Sequence, residues 1–215
     1  MRNCDSGAAV TQQSAVSDDE FARFNAVAIF FHWAIAGLIL ANILIGWQFS
    51  VVHGPLRQAA LQLHKSIGIS VLLLSVLRVL WRALSRLPPF PTSMRTWEKV
   101  SAKFVERWLY FVMFAMPLTG WAVVSSSGLG TPTMLFGIVH WPDIPVLATL
   151  PPEQQLAAYG VFVGAHRLVA KMIYCLVGFH VLGALRHQFI KRDLVLARMI
   201  PALARRKASA DLRHL

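Results

Sequence analysis

Residues 26–47 read AVAIFFHWAIAGLILANILIGW and contain no lysine, arginine, aspartate or glutamate. A helix of these 22 residues is long enough to cross the hydrocarbon core of a bilayer, for which about 20 residues are needed. The alternative is a cleaved signal peptide, but its apolar region has about 7 to 15 residues and lies close to the N-terminus. The stretch therefore predicts a transmembrane helix, and that helix contains one histidine, His32.

Three further apolar segments follow, and we predict helices at about residues 61–81, 104–124 and 159–189. Pro117 lies inside the third helix, where the missing backbone N–H predicts a kink. A loop of about 34 residues, rich in proline and glycine, joins the last two helices and is expected to fold over one mouth of the bundle. With 56% hydrophobic and 14% charged residues, the chain is predicted to be an all-α integral membrane protein, a bundle of four transmembrane helices.

The predicted membrane domain covers residues 21–200, between a polar N-terminal tail of residues 1–20 and a basic C-terminal tail of residues 201–215. In the first tail, the sequence SDDE from Ser17 to Glu20 has the pattern of a helix capping box. The chain has 2 cysteines, one in that tail and one in an apolar run, which excludes a disulfide framework and a cysteine-based metal site. The motif C-x-x-C-H of covalent c-type haem is also absent.

Lysine and arginine are concentrated on one side of the predicted spans. The loop between the second and third helices and the tail after the fourth are basic, whereas residues 125–165 contain no lysine or arginine and the first outer connection contains only Arg57. Basic loops stay in the cytoplasm, so we expect both termini to be cytoplasmic and the long loop to lie outside. This topology also explains the net charge of +11, and a nucleic-acid partner is not predicted.

Four histidines lie within the predicted spans, and ionisable side chains there usually face the interior of a helix bundle. His32 and His180 fall near the cytoplasmic ends of their helices, whereas His64 and His166 fall near the outer ends. On the fourth helix the two histidines are 14 residues apart, which places them on nearly one face and separates them by about 21 Å. Two histidine pairs at two depths are therefore predicted.

Two histidines that face each other across a bundle can supply both axial ligands of a b-type haem. Two pairs predict two haems, although each histidine alone is equally compatible with a hydrogen bond between helices. Zinc takes three or four protein ligands, more than the two available at each depth. Arg78 is expected to pair with a propionate of the cytoplasmic haem, and Lys65 and Arg167 lie beside the outer ligands; snorkelling towards the membrane surface is the alternative for each.

Four motifs carry a resemblance to a known family: FHW around His32, LHKSIGIS and LRVLWR in the second helix, AMPLTGW in the third, and GFHVLGALRH around His180 and His187. They resemble the bacterial cytochrome b561 family, four-helix dihaem proteins of the inner membrane, and most closely its superoxide oxidase branch. The resemblance covers about residues 21–200. It implies the same pairing of haem ligands as their depth does.

The resemblance also implies a reaction, in which an electron is taken from superoxide outside the membrane and passed through two haems to ubiquinone. Lys65, Arg167 and Lys171 surround the outer ligands and are expected to attract the superoxide anion, although Lys171 is equally well explained by snorkelling. His187 lies near the cytoplasmic surface and is expected to donate a hydrogen bond to a quinone carbonyl. The alternative for His187 is a solvated histidine at the membrane interface.

Two other functions stay open at this point. One is a cytochrome b electron-transfer subunit that exchanges electrons between the quinone pool and a periplasmic redox protein docked outside. The long loop has only Asp143 and Glu153 as charged residues, which does not decide between this function and the oxidoreductase. The other is a transporter without haem that uses the histidines as a proton relay, and a visible spectrum distinguishes it from the first two.

Overall fold

The computed structural model describes most of the chain, namely residues 24–85, 88–90, 94–130, 132–191 and 195–200. The predicted capping box from Ser17 to Glu20 and both predicted tails lie outside the described residues. Within the described part, the chain is mainly helical and contains one small two-stranded sheet.

Four long helices form the bundle: α1 (Ala26–Gln48), α2 (Gly54–Leu84), α3 (Thr96–Ser125) and α5 (Pro152–Leu185). All four are long and apolar enough to cross a membrane. A short helix, α4 (Pro145–Ala148), precedes α5, and a π-helical segment, Arg186–Lys191, follows it. The predicted fold class, a membrane bundle of four helices, is confirmed.

The helices are longer than hydropathy predicted, except for α1. α2 begins at Gly54 and not at about residue 61, and α3 begins at Thr96 and not at about residue 104. Hydropathy marks only the part of a helix that lies in lipid, whereas the backbone hydrogen bonds continue through polar turns beyond it. Pro55 occupies the first turn of α2, where a proline costs no hydrogen bond. α3 runs as one helix through the buried Pro117.

The middle of the bundle is filled by two apolar clusters. α3 packs against α5 and α2, and α1 packs against α2. The first cluster joins α1, α2 and α3 through Ile35, Ile67, Val71 and Met113. The second joins α3 and α5 through Val112, Val169 and Ile173. Because these side chains lie between the two predicted histidine depths, they separate the two depths with apolar packing.

The loop between α3 and α5 is largely ordered. It contains an antiparallel hairpin of β1 (Thr133–Leu135) and β2 (Val139–Trp141), followed by α4. Trp121 of α3 donates its Nε1–H to the carbonyl of Pro142, and Ser125 Oγ accepts the backbone N–H of Ile144. We call this end of the bundle the loop end. The opposite end, where α2 ends and α3 begins, is called the basic end.

Candidate functional site

At the loop end, the imidazoles of His64 on α2 and His166 on α5 face each other with ring centroids 6.3 Å apart. Glycines of the two other helices lie against these rings. A Cβ placed on Gly46 of α1 would lie 3.6 Å from Cε1 of His64, and one on Gly120 of α3 would lie 3.1 Å from Cε1 of His166. All four helices therefore converge on this pair, and the missing side chains of the two glycines permit the approach.

Thr119 of α3 orients one ring of the loop-end pair. Its Oγ1 lies 3.1 Å from Nδ1 of His166 and 2.8 Å from the carbonyl oxygen of Ala115. The hydroxyl has a single proton, which it donates to a helix carbonyl, so its oxygen accepts the Nδ1–H of His166. This arrangement selects the tautomer in which Nε2 carries a free lone pair. Thr119 lies in the motif AMPLTGW, but its contact with His166 was not predicted from the sequence.

At the basic end, His32 on α1 and His180 on α5 form the second pair, with ring centroids 6.0 Å apart. Arg78 of α2 lies beside them, and its guanidinium nitrogen is 3.5 Å from Nδ1 of His32. Arg78 also donates to the hydroxyl of Tyr110 at 3.4 Å and, with Trp81, lines a cavity of about 60 Å³. The structure therefore places Arg78 at the basic-end pair, within reach of any anionic group bound there.

A buried carboxylate ties α3 to the segment that follows α5. Glu98 is only 4% exposed and accepts hydrogen bonds from Arg186 at 2.7 Å, from the ammonium group of Lys191, and from the backbone N–H of Arg95 at 2.9 Å. His187, which is also buried, lies between these two cations on the π-helical segment. The role of Glu98 was not predicted from the sequence, although an acidic residue among Arg95, Lys99 and Lys103 was a signal for it.

The three cations predicted to attract superoxide lie on α2 and α5. Lys65 is half-buried, and its positive charge interacts with the negative charge of Asp143 in the loop. Arg167 and Lys171 are exposed, and Arg167 directly follows His166 in the sequence. The structure therefore places Lys65 and Arg167 next to the loop-end ligands along their helices, whereas Lys171 lies further along α5 towards the middle of the bundle.

The chain matches a known protein family over most of its length. The family model described as prokaryotic cytochrome b561 matches residues 23–202. The chain belongs to this cytochrome b561 family. Its members are membrane electron-transfer proteins that bind b-type haem, so the resemblance stated from the motifs is confirmed.

Among related cytochromes, the chain is 33% identical to cytochrome b561 homolog 2 of Escherichia coli over 182 residues, which cover 83% of this chain and 91% of that protein. It is 28% identical to the probable superoxide oxidase CybB of Yersinia pestis, over 83% of this chain and 96% of that protein. Cytochrome b562 of Cereibacter sphaeroides is 27% identical, with 82% and 94% covered.

The spacing of each histidine pair fits the haem iron of a cytochrome b561. Two metal–nitrogen bonds of about 2.0 Å, with about 1.1 Å more from each nitrogen to its ring centre, would place the two centroids about 6.2 Å apart. The observed separations are 6.0 and 6.3 Å. Among the described residues, no group of three or more histidine, cysteine or acidic side chains converges to hold a metal ion. Each pair thus has the spacing that two nitrogen ligands of one metal ion would need.

Proposed function

We propose that this cytochrome b561 is a dihaem oxidoreductase that transfers electrons from superoxide to ubiquinone. His32 and His180 hold one b-type haem, and His64 and His166 hold the other. The observation that carries this proposal is the presence of two histidine pairs, each at the separation of two axial ligands and each near a different end of the bundle. When bound, such haems supply reversible one-electron redox chemistry. The chain itself supplies the axial nitrogens, their orientation and the apolar packing between the pairs.

We propose that the basic end faces the cytoplasm and that the loop end faces the outside of a bacterial inner membrane. Arg82, Arg95, Lys99 and Lys103 lie at the basic end, whereas residues 125–165 carry no lysine or arginine. Basic residues near the ends of spans stay on the cytoplasmic side. This orientation places both termini in the cytoplasm and the pair His64 and His166 near the outer surface.

Superoxide is proposed to react at the loop end. Lys65 and Arg167 each adjoin a ligand of the loop-end pair in the sequence, so an approaching anion meets positive charge there. Lys171, the third cation proposed to attract the anion, lies deeper along α5 and acts from farther away. Each superoxide ion gives up one electron and leaves as dioxygen. Ubiquinone takes two electrons and two protons to become ubiquinol, so two superoxide ions are consumed for each quinone. The 28% identity to a probable superoxide oxidase supports this choice of donor.

Quinone is proposed to bind at the basic end, with His187 as a hydrogen-bond donor to one of its carbonyl oxygens. His187 lies on the π-helical segment directly after α5, and such segments occur frequently at functional sites. Arg186 and Lys191 are ion-paired with Glu98, so their main contribution is to hold this segment against α3. Arg78, beside His32, is assigned to a haem propionate.

The test of this function is stopped-flow mixing of the oxidised, haem-loaded protein with superoxide. We expect rapid appearance of the reduced haem bands, followed by reoxidation when ubiquinone is added, because the electron donor and acceptor sites lie at opposite ends of one chain. Superoxide dismutase in the donor syringe is the control and should abolish the reduction. If haem is reduced by quinol but not by superoxide, the protein is instead an electron-transfer subunit that serves a periplasmic redox protein.

Thr119→Val should raise the midpoint potential of the loop-end haem and leave the other haem unchanged. The hydroxyl accepts the Nδ1–H of His166, which makes the imidazole a stronger donor and stabilises ferric iron. Potentiometric titration of both transitions measures the shift. Thr119→Ser retains the hydroxyl and is the matched control, expected to behave as the wild type. A shift of equal size in both variants would show that the hydrogen bond is not the cause.

A further inference from the structure

The hairpin of the long loop does not stand away from the bundle but runs along α2. Gln62 donates its side-chain N–H to the carbonyl of Pro132 at 3.1 Å, and the backbone N–H of Phe136 donates to Ser66 Oγ at 2.9 Å. Ser66 lies one helical turn beyond Gln62, about 6 Å closer to the middle of the bundle. β1 therefore descends along α2, and the turn of the hairpin, residues 136–138, is its deepest part.

Two contacts between α1 and α2 establish how deep this turn lies. A Cβ on Gly46 would contact His64 at 3.6 Å, and a Cβ on Gly68 would contact Asn42 at 3.8 Å. Ser66 lies between His64 and Gly68 on α2, so it is level with α1 at about residue 44. That position is inside the uncharged run of residues 26–47. The turn therefore reaches the level at which α1 is already within the apolar part of the membrane.

The side chains at the turn suit an apolar surrounding. Phe136 is 57% exposed and Ile138 is 80% exposed, and residues 129–142 contain no charged side chain. Non-helical backbone at membrane depth requires its polar groups to be paired within the protein. Here Gln62 Oε1 accepts the N–H of Met134 at 3.4 Å, and Ser66 Oγ accepts that of Phe136 while donating its own proton to the carbonyl of Gln62. The carbonyl of Met134 accepts the N–H of Gly137 within the turn.

We propose that the turn of this hairpin is embedded among the lipid acyl chains of the leaflet at the loop end. The base of the hairpin fits the headgroup level above it. The rings of Trp121 and Trp141 pack at 5.5 Å there, and tryptophans are enriched at membrane interfaces. The occupant of the exposed apolar surface is thus lipid. This inference does not depend on the reaction that the haems support.

Depth-dependent fluorescence quenching tests the proposal. In a Cys4→Ser, Cys175→Ser background, Ile138→Cys carries an NBD label, and the haem-loaded protein is placed in phosphatidylcholine nanodiscs. Val146→Cys is the matched control, because Val146 is an equally aliphatic side chain of the same loop and is 74% exposed. Val146 lies on α4, where the carbonyl of Ala148 accepts a hydrogen bond from the side chain of Gln155. Gln155 precedes His166 by 11 residues on α5, so it lies about 16 Å farther out than His166.

The label at position 138 should be quenched by doxyl groups near the top of the acyl chains, and its quenching constant with aqueous iodide should be about fivefold lower than that of the label at position 146. Unchanged haem spectra of both labelled proteins show that they are folded. Equal iodide quenching at the two positions would overturn the proposal. Shielding of position 138 from both iodide and doxyl lipid would also overturn it, since the occupant would then be protein, such as a second copy of the chain.

Discussion

His32→Ala is expected to lower the haem content from about two to about one per chain, with the remaining haem keeping its own spectrum and potential. The reason is that a low-spin haem needs two imidazole nitrogens. Among the described residues, the ring that faces His180 is that of His32, with the two ring centroids 6.0 Å apart. His180→Ala should remove the same haem. His64→Ala and His166→Ala should remove the other one. Pyridine haemochrome analysis gives the stoichiometry, and redox titration identifies which transition is lost.

The controls for this series are histidines outside the pairs. His53 and His140 are exposed and lie in the connection before α2 and on β2, so replacing either by alanine should leave two haems in place. The decisive comparison is between His32→Ala and His64→Ala. If these two variants lost the same redox transition, the pairing of ligands by depth would be wrong. If the unmodified protein, fully loaded, contained one haem or fewer, the dihaem proposal itself would fail.

His187→Ala is expected to slow reoxidation of the reduced protein by ubiquinone about tenfold, because one hydrogen bond to the developing charge on the quinone is worth about 1.4 kcal/mol in the transition state. Both haems should stay bound, and their reduction by superoxide should keep the wild-type rate. Stopped-flow spectroscopy with stepwise ubiquinone concentrations separates weaker quinone binding from slower electron transfer.

A purely structural role of His187 predicts a different result. His187 is buried on the segment that Glu98 holds against α3, so a structural loss would disturb the nearby pair of His32 and His180 and change both phases. Gln188→Ala lies on the same π-helical segment and is the matched control, expected to reoxidise normally. Reoxidation of His187→Ala at the wild-type rate would show that His187 takes no part in quinone reduction and would move the search for the quinone site to the loop end.

The four spans and the two depths of histidines could be predicted from the sequence because both depend on local patterns. Hydropathy over about 20 residues marks a span, and the helical repeat alone places His166 and His180 on one face of α5. The facing rings lie 6.3 and 6.0 Å apart, and their role as two pairs of haem ligands stays a prediction. Hydropathy predicts the starts of α2 and α3 too late, because it does not report helical turns that extend beyond the lipid.

Only the tertiary structure decided which side chains support these elements. Thr119 meets His166 across 47 positions, Phe136 meets Ser66 across 70, and Arg186 meets Glu98 across 88. Each contact depends on how the helices and the hairpin pack together. The local sequence around a threonine, serine or glutamate does not predict which distant residue it will contact. The sequence by itself therefore determined the helices and the faces on which the histidines lie, whereas packing determined the hydrogen bonds that orient a ligand, close the basic end and hold the hairpin against α2.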